Sequence, residues 1–261
     1  TPFANFDGIH YLLIAARGYL QYEQAFFPLY PLAIKLLSNL LNPFSSALLI
    51  SNLCFLLSIF IFYRLLLLNQ IKNPSWVTAF FALFPTSFFF SAVYTESFFL
   101  FLFLSCLYFF QTKRYLLALL FAIFASLARL IGIFLIIPML FIYLSTPVSC
   151  RRFSKLLVCF APLIGLLIYS LYLYQTTGDP LFFFHAQPAF GANRSVSLIL
   201  FPRVVYRYLK IFLYSALDFK YLVSVLEFIV FSSFFVILSV QFFQLIKSWR
   251  SNHFLLGLNL F

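Results

Sequence analysis

The run SALLISNLCFLLSIFIFYRLLLL, Ser46–Leu68, decides the fold class of this chain. The hydrocarbon core of a bilayer is about 30 Å thick, so a helical crossing takes about 20 predominantly apolar residues. This run meets that length. Arg64 lies near its end, and the turn Asn69-Gln70-Ile71-Lys72-Asn73-Pro74 follows it.

Apolar runs of the same character continue outward from it. Trp76–Ala92 reads as a second span ending at Tyr94-Thr95-Glu96-Ser97, and Phe98–Phe110 as a third ending at the basic turn Gln111-Thr112-Lys113-Arg114. Tyr115–Leu144 is long enough for two short crossings, with Arg129 near its middle, and leads to Arg151-Arg152-Phe153-Ser154-Lys155. Leu156–Tyr174 and Leu222–Leu245 complete the set, the latter followed by Lys247 and Arg250. Phe27–Leu41, with Lys35 inside it, is too short to span and reads as a juxtamembrane helix.

Composition agrees with this pattern. The chain is 64% hydrophobic and 9% charged, with a mean hydropathy of +1.03. A soluble domain carries roughly 25% charged residues, which excludes that class here. Forty-one Phe residues suit lipid-facing and helix-packing surfaces, and sixteen Tyr residues suit interfacial anchoring. The net charge of +11 does not point to nucleic acid, because the basic residues fall in short clusters between apolar runs. Cys54, Cys106, Cys150 and Cys159 form no C-x-x-C pair and read as small packing residues, with neither a metal site nor a disulfide framework.

The basic clusters also order the chain across the membrane. If Lys72, Lys113/Arg114, Arg151/Arg152/Lys155 and Lys247/Arg250 are all cytoplasmic, each pair must be separated by an even number of crossings, and the runs above supply two each time. The opposite face then receives Asp7, Tyr94–Ser97, Arg129 and the loop from Asp179 to Gln187. The expected architecture is an all-α polytopic transmembrane helical bundle, a single integral-membrane domain over 1–261. Residues 1–45 form an extracytoplasmic loop with a juxtamembrane helix, and 46–175 the spans. Residues 176–220 form a second loop with an interfacial helix, and 221–261 a span and the start of the next. In the second loop Arg203, Arg207 and Lys210 share one helical face, opposite Val204, Tyr208, Ile211 and Phe212. That pattern reads as an interfacial amphipathic helix.

Chemistry concentrates at the start of the chain. Asp7, His10, Arg17 and Glu23 precede the first long apolar run, and the whole chain has only six acidic residues. A carboxylate between Phe6 and Tyr11 at a membrane boundary can be tuned for general-base work; as part of Asp7-Gly8 it can equally be a turn residue. Glu96, flanked by apolar residues, requires a partner or a polar cavity, because an ionised group at the bilayer centre costs about 2.5–3.5 kcal/mol on insertion scales. Arg129 falls on the same face and is the expected partner. Its guanidinium can instead hold a phosphate through two parallel hydrogen bonds. His10 and His185 are candidate ligands or phosphate contacts, and equally ordinary hydrogen-bonded histidines. Asp179 in Gly178-Asp179-Pro180 reads as a turn, and Asn193-Arg194-Ser195 matches a glycosylation sequon.

Several short stretches together resemble a known family. Asp7-Gly8-x-His10-Tyr11, Ile14-Ala15, Gly18-Tyr19 and Ala25-Phe26-Phe27-Pro28-Leu29-Tyr30-Pro31 look like the first extracytoplasmic loop of the GPI-anchor second mannosyltransferases and their bacterial homologues. Phe84-Pro85-Thr86-Ser87, Tyr94-Thr95-Glu96-Ser97, Ala128-Arg129-x-x-Gly132, and Gly178-Asp179-Pro180 with Ala186-Gln187 follow in family order over nearly the whole chain. The family is similar to the wider GT-C glycosyltransferases, which take a sugar from a polyprenyl-phosphate donor on the extracytoplasmic face.

The resemblance implies a GT-C-like fold with its active site in the first loop and Asp7 as catalytic base. It implies a substrate site drawn from His10, Tyr11, Arg17, Tyr94, Glu96, Arg129, His185 and Gln187. Partners would be a polyprenyl-phosphate sugar donor, a lipid or glycan acceptor and membrane lipids, with no soluble cofactor and no metal. Against the family pattern, a span before the Asp7 loop and a C-terminal Pro/Arg/Tyr stretch are absent, so the sequence reads as truncated at both ends. A Phe- and Leu-rich chain with compact loops suggests a bacterial plasma-membrane relative, or one in the endoplasmic reticulum membrane if eukaryotic. A transporter or flippase with a buried Glu96–Arg129 pair, or an inactive scaffold subunit, is the alternative.

Overall fold

The structure, a computed structural model, describes residues 3–147, 149, 151–190 and 201–258. Cys150, the Asn193-Arg194-Ser195 sequon and the last three residues lie outside the described residues, as do the side chains of Lys247 and Arg250. The described residues are helical or irregular, with no strand among them. The chain divides into two compact units, residues 1–196 and 197–261.

The first unit begins with α1 (Asp7–Arg17), so the stretch expected as a polar loop is a helix. A short 3-10 turn, Glu23–Ala25, leads to α2 (Leu29–Leu37), a helix within the 27–41 run that the sequence reads as juxtamembrane. Next comes α3 (Pro43–Leu68), which contains the whole Ser46–Leu68 run. Its start is specified locally: Asn42 Oδ1 accepts from Ser45 N at 2.8 Å, and Pro43 occupies the first turn.

The run 76–92 is not one helix. It divides into α4 (Pro74–Leu83) and a 3-10 segment, Pro85–Ser91, because Phe84 takes the extended backbone (ψ 139°) favoured before proline. The ten residues of α4 reach only about 15 Å, half the hydrocarbon thickness. Helix α5 covers Glu96–Gln111 and α6 Tyr115–Ala128. After α6 the chain breaks at Arg129, makes a 3-10 turn over Leu130–Leu135 and resumes as α7 (Ile136–Ser145). Helices α8 (Phe153–Cys159) and α9 (Ala161–Thr177) meet at a 45° bend, and α9 ends at Gly178 in the left-handed conformation (φ 78°).

Two helical segments among the described residues are long and apolar enough to cross a membrane, Pro43–Leu68 and Phe219–Gln244, and a third is the bent α8–α9 pair. The remaining apolar helices, α4 to α7, are of 10–17 residues, shorter than a full crossing. Helix α5 covers the whole 98–110 run, the break at Arg129 divides 115–144 in two, and only 76–92 loses its continuity, at Pro85.

Helices α3, α5, α6 and α9 pack side by side in that order. Ala118, Ala122 and Ala125 on α6 are fully buried, and Gly165 of α9 lies against Ile123 and Ser126. Small residues at this spacing let helix backbones approach closely where lipid supplies no hydrophobic drive between helices. Cys54, Cys106 and Cys159 are buried free thiols within this packing.

The second unit contains α11 (Phe201–Tyr214) and α12 (Phe219–Leu258). Phe201, Tyr208 and Phe212 of α11 stack on Phe228, Phe231 and Phe235 of α12. Tyr208 donates to Glu227 Oε2 at 3.2 Å, which partners the carboxylate inside an apolar segment. In the first unit a short α10 (Phe182–His185) follows α9 and is itself followed by a 3-10 segment, Gln187–Phe190.

Candidate functional site

The site begins with the close approach of α1 to the segment before α5. Gly8 is buried, and a Cβ there would stand 2.6 Å from the carbonyl oxygen of Val93. Phe3 O accepts from Val93 N at 2.8 Å, securing the same contact from the chain preceding α1. The glycine in Asp7-Gly8 therefore serves packing, and Asp7 sits in the first turn of a helix, where a carboxylate also complements the helix dipole. Asp7 is exposed, so the flanking aromatic residues do not enclose it.

Tyr11 is one turn further along and 6% exposed, packed edge-on against Phe26 and Tyr30. Its hydroxyl lies 3.5 Å from Thr95 Oγ1, and burial pushes its pKa up to about 12. A buried phenol on that partner is a packing residue whose ring forms part of a wall. Tyr94 packs against Phe89, and burial together with the Asp7 and Glu96 carboxylates holds its hydroxyl above the ordinary value.

Arg129 enters from the other side. It adopts an extended backbone (φ −154°, ψ 145°) between α6 and the following 3-10 turn, and its carbonyl accepts from Gly132 N at 2.9 Å. A Cβ on Gly132 would meet the Ala125 backbone at 2.5 Å, so glycine is what lets the turn fold back onto α6. The Ala128-Arg129-x-x-Gly132 spacing is thus a device that ends a helix and turns one arginine out of it. Arg129 Nη1 donates to Glu96 Oε1 at 2.6 Å, the partnership that the apolar surroundings of Glu96 require. The two side chains are 34% and 38% exposed, so the pair is half-buried rather than enclosed.

These elements line one cavity of about 220 Å³, whose polar lining comes from Asp7, Tyr11, Arg129 and Gln187. Phe26, Phe27, Phe183 and Phe184 supply aromatic walls. No described residue hydrogen-bonds the Asp7 carboxylate, whereas Arg129 is held.

His10, Arg17 and His185 are engaged elsewhere. Arg17 Nη2 donates to Glu23 Oε1 at 2.9 Å, and His10 Nδ1 lies 3.8 Å from the same oxygen while its ring stacks on Phe26. The second oxygen of Glu23 accepts from Leu20 N at 2.9 Å. Glu23 is therefore the centre of a clamp that closes the loop between α1 and α2, and an anion would have to displace it to reach Arg17. His185 Nδ1 lies 2.6 Å from Asp179 Oδ2, and Asp179 Oδ1 accepts from Leu181 N at 2.9 Å, so Asp179 ties the turn before α10 to the last residue of that helix. That contact with His185 and the amide bond hold the Asp179 carboxyl below its ordinary value.

Sequence reading had marked Glu23 as one of few acids without a role; the signal available was an arginine six positions earlier across a glycine-containing turn. Gln24–Phe26, which enters the Ala25–Pro31 motif leading into α2, is pinned by two tyrosines. Tyr169 donates to Gln24 O at 2.7 Å, and Tyr19 donates to Phe26 O at 2.7 Å.

A second, larger cavity of about 390 Å³ is bounded by Ile14, Gly18, Tyr19, Leu29, Leu32, Leu127, Ile168 and Tyr172, with Lys35 as its one charged lining residue. Helix α1 contributes to both cavities, through Asp7 and Tyr11 to one and through Ile14 to the other. No protein-family model matches the chain, and neither the curated proteins nor the solved structures yield a match.

Proposed function

We propose that the protein is an inverting membrane glycosyltransferase that moves a hexose, with mannose the expected sugar, from a polyprenyl-phosphate donor to a lipid or glycan hydroxyl. The observation that carries the reading is the shared lining of the small cavity by an unengaged carboxylate, Asp7, and a carboxylate-held guanidinium, Arg129. At about 220 Å³ it lies below the roughly 300 Å³ at which drug-sized pockets begin, which suits one sugar ring better than an oligosaccharide.

In this reading Asp7 takes the proton of the acceptor hydroxyl as its oxygen attacks C1 of the sugar. The C1–O bond to the lipid phosphate breaks on the opposite face, and the electron pair leaves with the phosphate. Arg129 stabilises the charge that develops there, a contribution often worth 10²- to 10³-fold per donor. Glu96 acts through Arg129 as a positioning residue, and Gln187 offers an amide to sugar hydroxyls. The apolar cavity with Lys35 suits the donor's prenyl chain. A GT-C-like arrangement with Asp7, Tyr94 and the Asp179–Gln187 segment on the extracytoplasmic side belongs to the same proposal, as does a bacterial plasma-membrane location.

The test follows radiolabelled mannose from a polyprenyl-phosphate donor into lipid or glycan, in membranes carrying the protein or its Asp7→Asn variant. Incorporation lost in a normally expressed variant supports the reading. Equal incorporation removes Asp7 as the base. Flipping of a lipid-linked sugar without transfer, dependent on Glu96 or Arg129 and indifferent to Asp7, establishes the transporter instead.

A further inference from the structure

The second unit carries an unpartnered surface whose chemistry is independent of any transfer reaction. At 100° per residue, Arg203, Arg207 and Lys210 fall within about 60° of one another on α11. All three are exposed, and none pairs with a carboxylate among the described residues. Helix α12 packs against Phe201, Tyr208 and Phe212, so the apolar side of the amphipathic pattern already faces protein and is half-buried there. A third strip remains beside the cations: Tyr206, Leu209 and Leu213 are 67%, 48% and 74% exposed.

Water does not favour a strip of this kind, whereas a bilayer surface accommodates both halves of it. Apolar and aromatic side chains enter the acyl boundary while adjacent cations meet phosphates. Helix α12, against which α11 packs, includes a 26-residue segment long and apolar enough to cross a membrane, which keeps α11 close to one. We infer that α11 lies on the membrane surface and collects anionic lipid headgroups along Arg203, Arg207 and Lys210, with Tyr206, Leu209 and Leu213 seated among the acyl chains beside them. The occupant is a lipid leaflet containing anionic phospholipid.

The experiment uses the whole chain in nanodiscs, with Trp76→Phe and Trp249→Phe removing the native indoles and Tyr214→Trp placing a reporter next to Lys210. Phosphatidylcholine discs receive equal mole fractions of either phosphatidylglycerol or phosphatidylcholine brominated near the headgroup. Quenching by brominated phosphatidylglycerol is expected to exceed that by brominated phosphatidylcholine about twofold, and salt is expected to shrink the difference. Arg203→Gln/Arg207→Gln/Lys210→Gln is expected to bring the two to equality, while Arg203→Lys/Arg207→Lys retains the preference. Equal quenching by both lipids in the reporter protein overturns the inference. Absence of quenching by either also overturns it.

Discussion

Arg129 donates from Nη1 to Glu96 Oε1 across 2.6 Å, joining the end of α6 to the first turn of α5. The chain separates these residues by 33 positions, and the break after Ala128 is what brings the guanidinium to the carboxylate. A half-exposed pair contributes at most about 1 kcal/mol to stability, so its value lies in orientation. On the proposed transferase reading, Arg129→Ala is expected to lower kcat/KM for sugar transfer about 100-fold. Glu96→Gln is expected to cost about tenfold, with Tm in mild detergent nearly unchanged. A large fall in Tm with proportionate loss of activity would make the pair a helix tie and nothing more.

Glu23 behaves differently, because it is 6% exposed and satisfies both Arg17 and a backbone amide. Its removal strands Leu20 N and frees the loop between α1 and α2. Glu23→Ala is expected to destabilise by about 2 kcal/mol, and Arg17→Ala by less than about 1 kcal/mol because that side chain keeps water. Unfolding of the two variants in detergent, compared at one pH, measures both. An Arg17 variant as unstable as the Glu23 variant would contradict the clamp.

Gly8→Ala tests the contact that places Asp7. The added methyl meets a backbone carbonyl at 2.6 Å, and the backbone cannot turn away as a side chain can. Overpacking of this kind costs about 1–3 kcal/mol, and Asp7 moves with it. Tm, and with it the proposed transfer activity, are expected to fall, whereas Gly18→Ala, with no atom within 4 Å but φ 81°, is expected to lose stability through strain and to leave the Asp7 cavity in place. Normal Tm in the Gly8 variant would show that α1 does not approach Val93 this closely.

The Asp179–His185 contact has a pH dependence with a definite sign. Asp179 is held below its ordinary value of 3.8, first by His185 and then by Leu181 N, so its stabilising contribution is present above that value. It is lost as pH falls through the lower value of the folded protein. Hydrogen exchange at the Leu181 amide is expected to stay slow from neutral pH down to about 4 and to accelerate below it. Asp179→Asn should remove the transition. A transition centred near the histidine value instead would assign the dependence to His185.

Several features were legible in the sequence. Ser46–Leu68 is a helix because a long run of apolar residues followed by Asn69 leaves the backbone no better arrangement in hydrocarbon. The α11 stripe was visible in the spacing of Arg203, Arg207 and Lys210, and the demand of Glu96 for a cation was visible in its neighbours. The continuous reading of 76–92 failed at Pro85, whose effect on Phe84 outweighs the hydropathy of the window. His10 reads in the sequence as a phosphate contact or an ordinary hydrogen-bonded histidine, and Arg17 enters the site only through the family resemblance; the turn after Gly18 instead returns Glu23 to both.

The sequence by itself determined a helical chain with runs long and apolar enough to cross a membrane, because hydropathy and helix periodicity are properties of a local window and add along it. Tertiary structure alone decided which polar groups remain available. Arg17 and His185 are engaged by nearby carboxylates, and Arg129 is held by a carboxylate from another helix, while Asp7 accepts no hydrogen bond from any described residue. The physical reason is that an ion pair depends on where helix breaks and turns aim two side chains. At Gly8 and Gly132 that aim depends on backbones so close that an added Cβ would stand about 2.5 Å from a neighbouring backbone atom, a fit that no composition encodes.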